Sequence, residues 1–177
     1  GNLIKNKYGY DRNNQDYWKR HKIAIGCLAA YTGPITIYYG DEIGDIADCW
    51  PNNCGSNTAG DNVARTDGQI SGFNSNQQDL HDFTAKVIAL RRKYPAIWRG
   101  SNSIHTKDGA MYNVKWDSTT STKIIFLVNT GTASTTVQIT SGGKHFKNLI
   151  TNESFDANGS FEVKIDALTC YFYEVTE

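Results

Sequence analysis

The sequence predicts an incomplete α/β part over residues 1–100 and a complete all-β part over residues 101–177. In the first part, two helical stretches flank a short apolar run at residues 35–39. In the second part, short strand-like segments recur, and turn residues separate them. This spacing is typical of an antiparallel β-sandwich.

The first part reads as a helix, a strand and a second helix. Residues 16–32 predict a helix that Asp16 caps, and Gly33-Pro34 ends it. The apolar residues 35–39 follow at once and predict a strand of a parallel sheet, buried on both faces. After a long polar loop over residues 40–78, residues 79–94 predict a helix that begins at Asp79 and ends before a proline.

The second part predicts seven strands. They cover residues 103–107, 110–117, 122–129, 135–140, 144–150, 160–166 and 169–175. Trp98 and Trp116 fall where the two parts join and are expected in the core between them. Cys27 and Cys170 lie in apolar segments and are expected to be buried thiols.

The charge balance excludes two classes of partner. Lys plus Arg and Asp plus Glu both number 18, so the chain lacks the basic excess that nucleic acids or anionic membranes attract. No run of eighteen apolar residues indicates a membrane span, and no apolar leader region is visible near Gly1. We therefore expect no nucleic-acid and no membrane partner.

A loop contains two closely spaced cysteines, Cys49 and Cys54, in the stretch "CWPNNC". A disulfide between them would close a short ring and stabilise the fold by about 2 kcal/mol. A single pair at this spacing is a poor zinc signature, because no second pair of ligands follows. A loop disulfide predicts a secreted, cell-surface or periplasmic protein.

Asp41 and Glu42 stand side by side directly after the predicted strand, in "GPITIYYGDEIG". In parallel α/β architectures, the C-terminal ends of strands are where catalytic and binding groups lie. Adjacent residues on an extended segment point to opposite sides, so these two carboxylates cannot flank one bond. Their pattern favours a supporting role at the end of the strand.

That stretch resembles the eighth-strand motif of the α-amylase family, glycoside hydrolase family 13. Four further phrases resemble the family in the same order: "ARTDGQISGFNS" at residues 64–75, "VIALRRKYPAIWRG" at residues 87–100, and "KIIFLVNT" and "KNLITNESF" in the second part. The resemblance implies a C-terminal piece of a (β/α)8 TIM barrel, comprising helix 7, strand 8 and helix 8. An antiparallel β-sandwich, domain C, follows it.

The resemblance also implies an activity for the complete enzyme. Family members hydrolyse α-1,4-glucans such as starch and maltooligosaccharides with retention, which needs two carboxyl groups about 5–5.5 Å apart across the glycosidic bond. The motifs that carry the family's nucleophile, acid/base and stabilising carboxylates are not among these 177 residues. The chain alone is therefore expected to be inactive. The alternatives are a carbohydrate-binding module and a purely structural domain.

Four residues are candidates for substrate binding at the barrel rim: Asp41, Glu42, Trp50 and Arg65. Each has a structural alternative, since Asp41 can cap the turn, Glu42 can pair with Arg65, and Trp50 can anchor its loop. Arg65 can also bridge the loop to a barrel carboxylate. No catalytic residue, metal ligand or cofactor is assigned to this chain, although the complete enzyme is expected to bind calcium.

The expected partners are an α-glucan, reached through the missing barrel, and either a second copy of the chain or a complementary barrel fragment. Association is expected because the predicted strand at residues 35–39 has open edges.

Overall fold

A computed structural model describes residues 11–45, 66–107 and 109–177. These residues form three α-helices, a short 3-10 helix at Asp41–Ile43 and eight strands. None of the described helices has the length and apolarity needed to cross a bilayer. The helices are α1 (Gln15–Ala30), α2 (Ser75–Lys93) and α3 (Pro95–Arg99); the strands are β1 (Ser101–Lys107), β2 (Ala110–Asp117), β3 (Thr122–Asn129), β4 (Thr135–Thr140), β5 (His145–Asn148), β6 (Ser154–Asp156), β7 (Ser160–Ile165) and β8 (Thr169–Thr176).

The first two helices begin earlier than predicted, because an asparagine caps each of them. The Asn14 side chain accepts a hydrogen bond from the Asp16 amide at the start of α1. At α2, Asn74 and Gln77 form a reciprocal capping box. The predicted caps were wrong: Asp16 lies in the first turn of α1, and Asp79 is inside α2.

The predicted strand at residues 35–39 is not a strand in this structure. The chain from Pro34 to Tyr38 joins no ladder, and Ile35 and Ile37 are only half-buried. A β-strand exists only when a neighbouring strand supplies hydrogen bonds, and no described strand pairs with this segment. The prediction of a parallel sheet is therefore not met among the described residues.

The second part is an antiparallel sandwich, as predicted. Its larger sheet has six strands in the order β1-β2-β3-β8-β5-β6, and β4 pairs with β7 in the smaller one. The prediction missed one strand, β6, which is three residues long and exposed throughout. The strands that the prediction named are all present, and none of their ends differs from the prediction by more than two residues.

Two hydrophobic cores share the central strand β3. Phe126 and Val128 pack with α1, α2 and α3, whereas Ile125 and Leu127 face the smaller sheet. Both faces of β3 are therefore buried, which explains its continuous apolar run. The first core contains residues from before and after position 100. The division of the chain into two domains at that position stays a prediction.

Two expectations about the core were wrong. Trp98 and Trp116 keep 38% and 39% of their surface exposed, and the cationic groups of Arg99 and Lys123 lie over their rings. Cys27 is exposed, whereas Cys170 is buried as expected. The sulfur of Cys170 fits against the main chain of α1 because residue 26 is a glycine.

The chain leaving α1 is held by Arg91 of α2. Its guanidinium group donates to the carbonyl oxygens of Ala29 at 2.9 Å and Tyr31 at 2.5 Å, and also to that of Gly33. The last turn of α1 has no basic residue of its own. Arg91 therefore supplies the positive charge that stabilises a helix C-terminus.

Lys115 of β2 lies beside this junction and is fully buried. Its ammonium group donates to Thr32 Oγ1 and Asn102 Oδ1, both at 2.7 Å. No described carboxylate forms an ion pair with it. Burial, and secondarily the charge of Arg91, lowers the pKa of Lys115 to about 8.

Candidate functional site

Asp41 and Glu42 lie in the short 3-10 helix between two glycines, Gly40 and Gly44. Both glycines have positive φ, 90° and 61°, which favours glycine. A β-carbon at residue 44 would lie 2.8 Å from Cζ3 of Trp18. The second glycine therefore lets the turn sit directly against α1.

The two carboxylates hold this turn in place. Asp41 Oδ2 accepts from the Tyr38 amide at 3.2 Å, and Glu42 Oε2 accepts from the Gly40 amide at 2.9 Å. Both side chains are half-buried. This geometry fits a supporting role, and the candidate role of both residues in substrate binding stays a prediction.

A hydrogen-bond network connects the turn to Thr66, where the structure describes the chain again. Thr66 Oγ1 donates to Asp45 Oδ2 at 2.5 Å, and the Tyr39 hydroxyl donates to the Thr66 carbonyl at 3.1 Å. Sequence reasoning did not select Thr66 or Tyr39, since their partners are 21 and 27 residues away. No local pattern indicates such a contact.

The turn rests on three aromatic side chains of α1. The Tyr17 hydroxyl donates to the Gly44 carbonyl at 2.9 Å, and the Tyr17 ring packs edge-on against Trp18 and His21. Burial lowers the pKa of His21, and its effect outweighs that of Asp41, which acts in the opposite direction. His21 is therefore a neutral packing residue near pH 7.

Two tyrosine side chains project beside the turn. The rings of Tyr38 and Tyr39 lie 4.5 Å apart at an interplanar angle of 35°, and they are 54% and 47% exposed. Exposed aromatic faces next to carboxylates are typical of sugar-binding surfaces. Aromatic residues are also common in protein cores and at protein interfaces. The sequence indicated both tyrosines only as apolar residues of the predicted strand at residues 35–39.

Several candidates lie outside the described residues. These are Trp50, Arg65 and the proposed disulfide pair, Cys49 and Cys54. Their roles stay predictions. Within the described ranges, no three His, Cys, Asp or Glu residues group in a way that would hold a metal ion.

Comparison with known proteins gives one relative and many similar structures. No family model matches the sequence. A β/α-amylase of Paenibacillus polymyxa is 27% identical over 157 residues, which cover 86% of this chain and 12% of that protein. The chain therefore spans about an eighth of the curated relative.

Several solved structures of amylases are also similar to this chain. AmyP in complex with maltose matches with a TM-score of 0.79 at 25% identity, over 93% of this chain and 36% of that one. An AmyP variant in complex with maltotriose matches with a TM-score of 0.81, at the same identity and coverage. An Anoxybacillus α-amylase is 20% identical with a TM-score of 0.68, covering 90% of this chain and 33% of its own, and shows the fold alone.

Sequence and structure thus point to the same class of protein. The resemblance to the α-amylase family is confirmed over most of this chain. The predominantly antiparallel second part matches the fold of an amylase C-terminal domain.

Proposed function

We propose that this chain is the C-terminal part of a retaining α-amylase-type glycoside hydrolase that acts on α-1,4-glucans. The observation that carries the proposal is the likeness to AmyP, a protein solved with maltose and with maltotriose, over 93% of the chain. Residues 15–45 and 75–99 would then contribute helix 7, strand 8 and helix 8 of a (β/α)8 barrel, and the sandwich would be domain C.

In this proposal the chain supports catalysis and does not perform it. Asp41 and Glu42 each accept a main-chain amide hydrogen within the same turn. Retaining hydrolysis needs one carboxylate that attacks the anomeric carbon and a second that protonates the leaving oxygen from the other side. Those groups belong to the remainder of the enzyme, so the 177-residue chain alone is inactive.

The turn would form part of the rim around the substrate. The network through Asp45 and Tyr39 holds Thr66, the residue that directly follows Arg65 in the sequence, beside the turn. This link supports a role for the loop at the sugar site. Calcium binding by the complete enzyme, secretion and the disulfide stay part of the proposal.

A carbohydrate-binding module is the second candidate. The specific observation in its favour is the pair of exposed rings of Tyr38 and Tyr39. Two adjacent tyrosine faces can stack on neighbouring glucose rings without any catalytic group. This candidate predicts that the isolated chain binds maltooligosaccharides.

The deciding experiment compares the chain alone with a hybrid enzyme. In the hybrid, this chain replaces the matching segment of AmyP, and both proteins are incubated with maltoheptaose. We expect products with retained α-anomeric configuration from the hybrid and none from the chain alone. A hybrid that folds but is inactive contradicts the proposal, and binding of millimolar maltotriose by the chain alone favours the module.

A further inference from the structure

Two asparagines of the sequence begin an Asn-x-Ser or Asn-x-Thr triplet, and both lie in the same part of the sandwich. They are Asn152, in Asn-Glu-Ser, and Asn158, in Asn-Gly-Ser. This triplet is the acceptor signal for N-linked glycosylation when its middle residue is not proline. Because so short a signal also occurs by chance, its placement in the structure decides whether it is usable.

The two triplets lie in the turns on either side of β6. Asn152 is in the turn between β5 and β6, and Asn158 is in the turn between β6 and β7. Both side chains are exposed, and so are Ser154 and Ser160 at the third positions of the triplets. Neither asparagine side chain forms a hydrogen bond with a residue that the structure describes. Both Nδ2 atoms are therefore accessible to a transferase.

Many of the other asparagines have structural roles. The side chains of Asn14 and Asn74 cap helices, and those of Asn102, Asn129 and Asn148 form hydrogen bonds with neighbouring polar groups. The two triplet asparagines differ from these, because their side chains stabilise no turn among the described residues. The fold therefore gives no reason for an asparagine at either position.

The turn at Asn158 is held by the main chain of its neighbours. The Ala157 amide donates to the Lys144 carbonyl at 2.9 Å, and the Gly159 amide donates to the Gly143 carbonyl, also at 2.9 Å. These bonds fix the backbone on both sides of Asn158. The turn is therefore ordered without any contribution from the side chain that would be modified.

A polar depression lies beside Asn158. Its volume is about 380 Å³, and it is lined by Lys144, His145, Asp156 and Ala157 together with Asn158. His145 Nδ1 and Asp156 Oδ1 lie 2.6 Å apart, and both side chains are mainly exposed. A sugar attached to Asn158 would therefore find hydrogen-bonding groups of both kinds, donors and acceptors, next to its attachment point.

The edge of the sheet leaves room for a bulky group. Strand β6 is the last strand of the six-stranded sheet, all three of its residues are exposed, and no described strand pairs with its outer edge. Phe155 in its centre keeps 37% of its surface accessible. Exposed edges invite pairing with other chains, and bulky solvated groups at both ends of this one would hinder it.

We propose that Asn152 and Asn158 carry N-linked glycans in the complete protein. In the transfer, Nδ2 of the asparagine forms a bond to the anomeric carbon of a lipid-pyrophosphate-linked oligosaccharide. The bond from that carbon to the pyrophosphate oxygen breaks, the lipid pyrophosphate leaves, and the amide proton passes to a base of the transferase. The inference rests on the secretion that belongs to the proposed function, and it is independent of activity on α-glucans.

The test uses the complete protein recovered from the cells that encode it, both from the medium and from the cell extract. Peptides that contain Asn152 or Asn158 are analysed as intact glycopeptides by mass spectrometry, and again after release of the glycan by peptide N-glycosidase in heavy-oxygen water. A sample without that enzyme is the control, because Asn-Gly pairs also deamidate spontaneously. Asn13, which is exposed and outside any triplet, is the internal control.

Variants expressed in the same cells separate the acceptor signal from the fold. Ser160→Ala removes the hydroxyl that the signal requires, whereas Ser160→Thr keeps a hydroxyl at this exposed first position of β7. Ser154→Ala and Ser154→Thr are the matched pair for the other triplet. We expect both asparagines to carry glycans in the wild type. Each alanine variant should lose the glycan of its own triplet, and each threonine variant should keep it.

Three outcomes overturn the proposal: unmodified asparagines in protein from the medium, protein that stays in the cells without glycans, or glycans that persist in the alanine variants. A glycan at one of the two positions alone overturns the proposal for the other. None of these readings needs sugar hydrolysis. They are therefore separate from the failure of the hybrid enzyme, which contradicts the proposed function itself.

Discussion

Replacing the buried Lys115 by methionine tests how the junction between α1 and the sandwich is stabilised. The Lys115 ammonium is fully buried and contacts only neutral oxygen atoms, those of Thr32 and Asn102. Each oxygen also has a second donor: Asn102 Nδ2 donates to Thr32 Oγ1 at 3.0 Å, and Asn113 Nδ2 donates to Asn102 Oδ1 at 2.8 Å. Lys115→Met therefore removes the charge, keeps the volume and leaves both oxygens with a partner.

The magnitude follows from the pKa of Lys115, which falls from 10.5 to about 8 in the folded protein. A pKa lowered this far means that the folded protein disfavours the charged ammonium group by roughly 3 kcal/mol. Below pH 8 the Lys115 ammonium is charged in both the folded and the unfolded chain. The folded state is then destabilised by the full roughly 3 kcal/mol. Between pH 8 and 10.5 the unfolded chain binds the proton and the folded chain does not, so this group's contribution to stability rises with pH.

The assay is urea unfolding of the wild type and Lys115→Met from pH 7 to pH 10.5, with Lys147→Met on the exposed face of β5 as the control. At pH 7 we expect the variant to be as stable as the wild type or more stable by about 1 kcal/mol. At pH 10.5 the wild type should have gained roughly 3 kcal/mol relative to the variant. Tyrosines and thiols that titrate in the same pH range contribute equally to the stability of both proteins, so their contribution cancels in the difference.

A constant difference between wild type and variant across that pH range would refute the reasoning. The reasoning would also be refuted if the difference in unfolding free energy between wild type and the Lys147→Met control changed with pH by the same amount. A large loss of stability at pH 7 would show that the ammonium group's hydrogen bonds outweigh its desolvation.

Three further predictions concern side chains at the other contacts of the fold. Cys27 should react with a maleimide in the native chain, whereas Cys170, whose pKa burial raises to about 12, should react only after unfolding; peptide mass spectrometry of each site measures the two rates. Gly44→Ala should lower the unfolding free energy by about 1–3 kcal/mol, and by clearly more than Gly109→Ala, which has the same sign of φ but open space; equal losses would exclude the clash with α1. Asn74→Ala should cost about 1 kcal/mol in thermal or urea unfolding, because it removes the capping box of α2, and no change would show that this helix end is fixed by packing alone.

The antiparallel strands were predictable because their signals are local. Alternating apolar residues mark β2, β4 and β7, and the glycines at 109, 142, 143 and 159, all with positive φ, mark the turns. Strand β6 was missed because three exposed residues have no alternation to detect. Its position depends on pairing with β5, which is a contact and not a sequence pattern.

The first part was predicted less completely because its decisive interactions are distant in sequence. The apolar run at residues 35–39 identifies a segment that can form a strand, but pairing requires a neighbour. Asp41 and Glu42 were found from their position after this run, and their turn-capping bonds are local. The contact of Tyr17 with Gly44 and the burial of Lys115 have no local sequence signal.

The sharing of β3 by two cores has a consequence for how this protein can be divided. If the chain were cut at residue 100, the sheet face that carries Phe126, Val128 and Phe172 would lose the helices that cover it. The sandwich would then present a broad apolar surface, which favours aggregation of the excised piece. The helices and the sandwich should therefore melt together in a single transition, and a boundary chosen for expression belongs before α1.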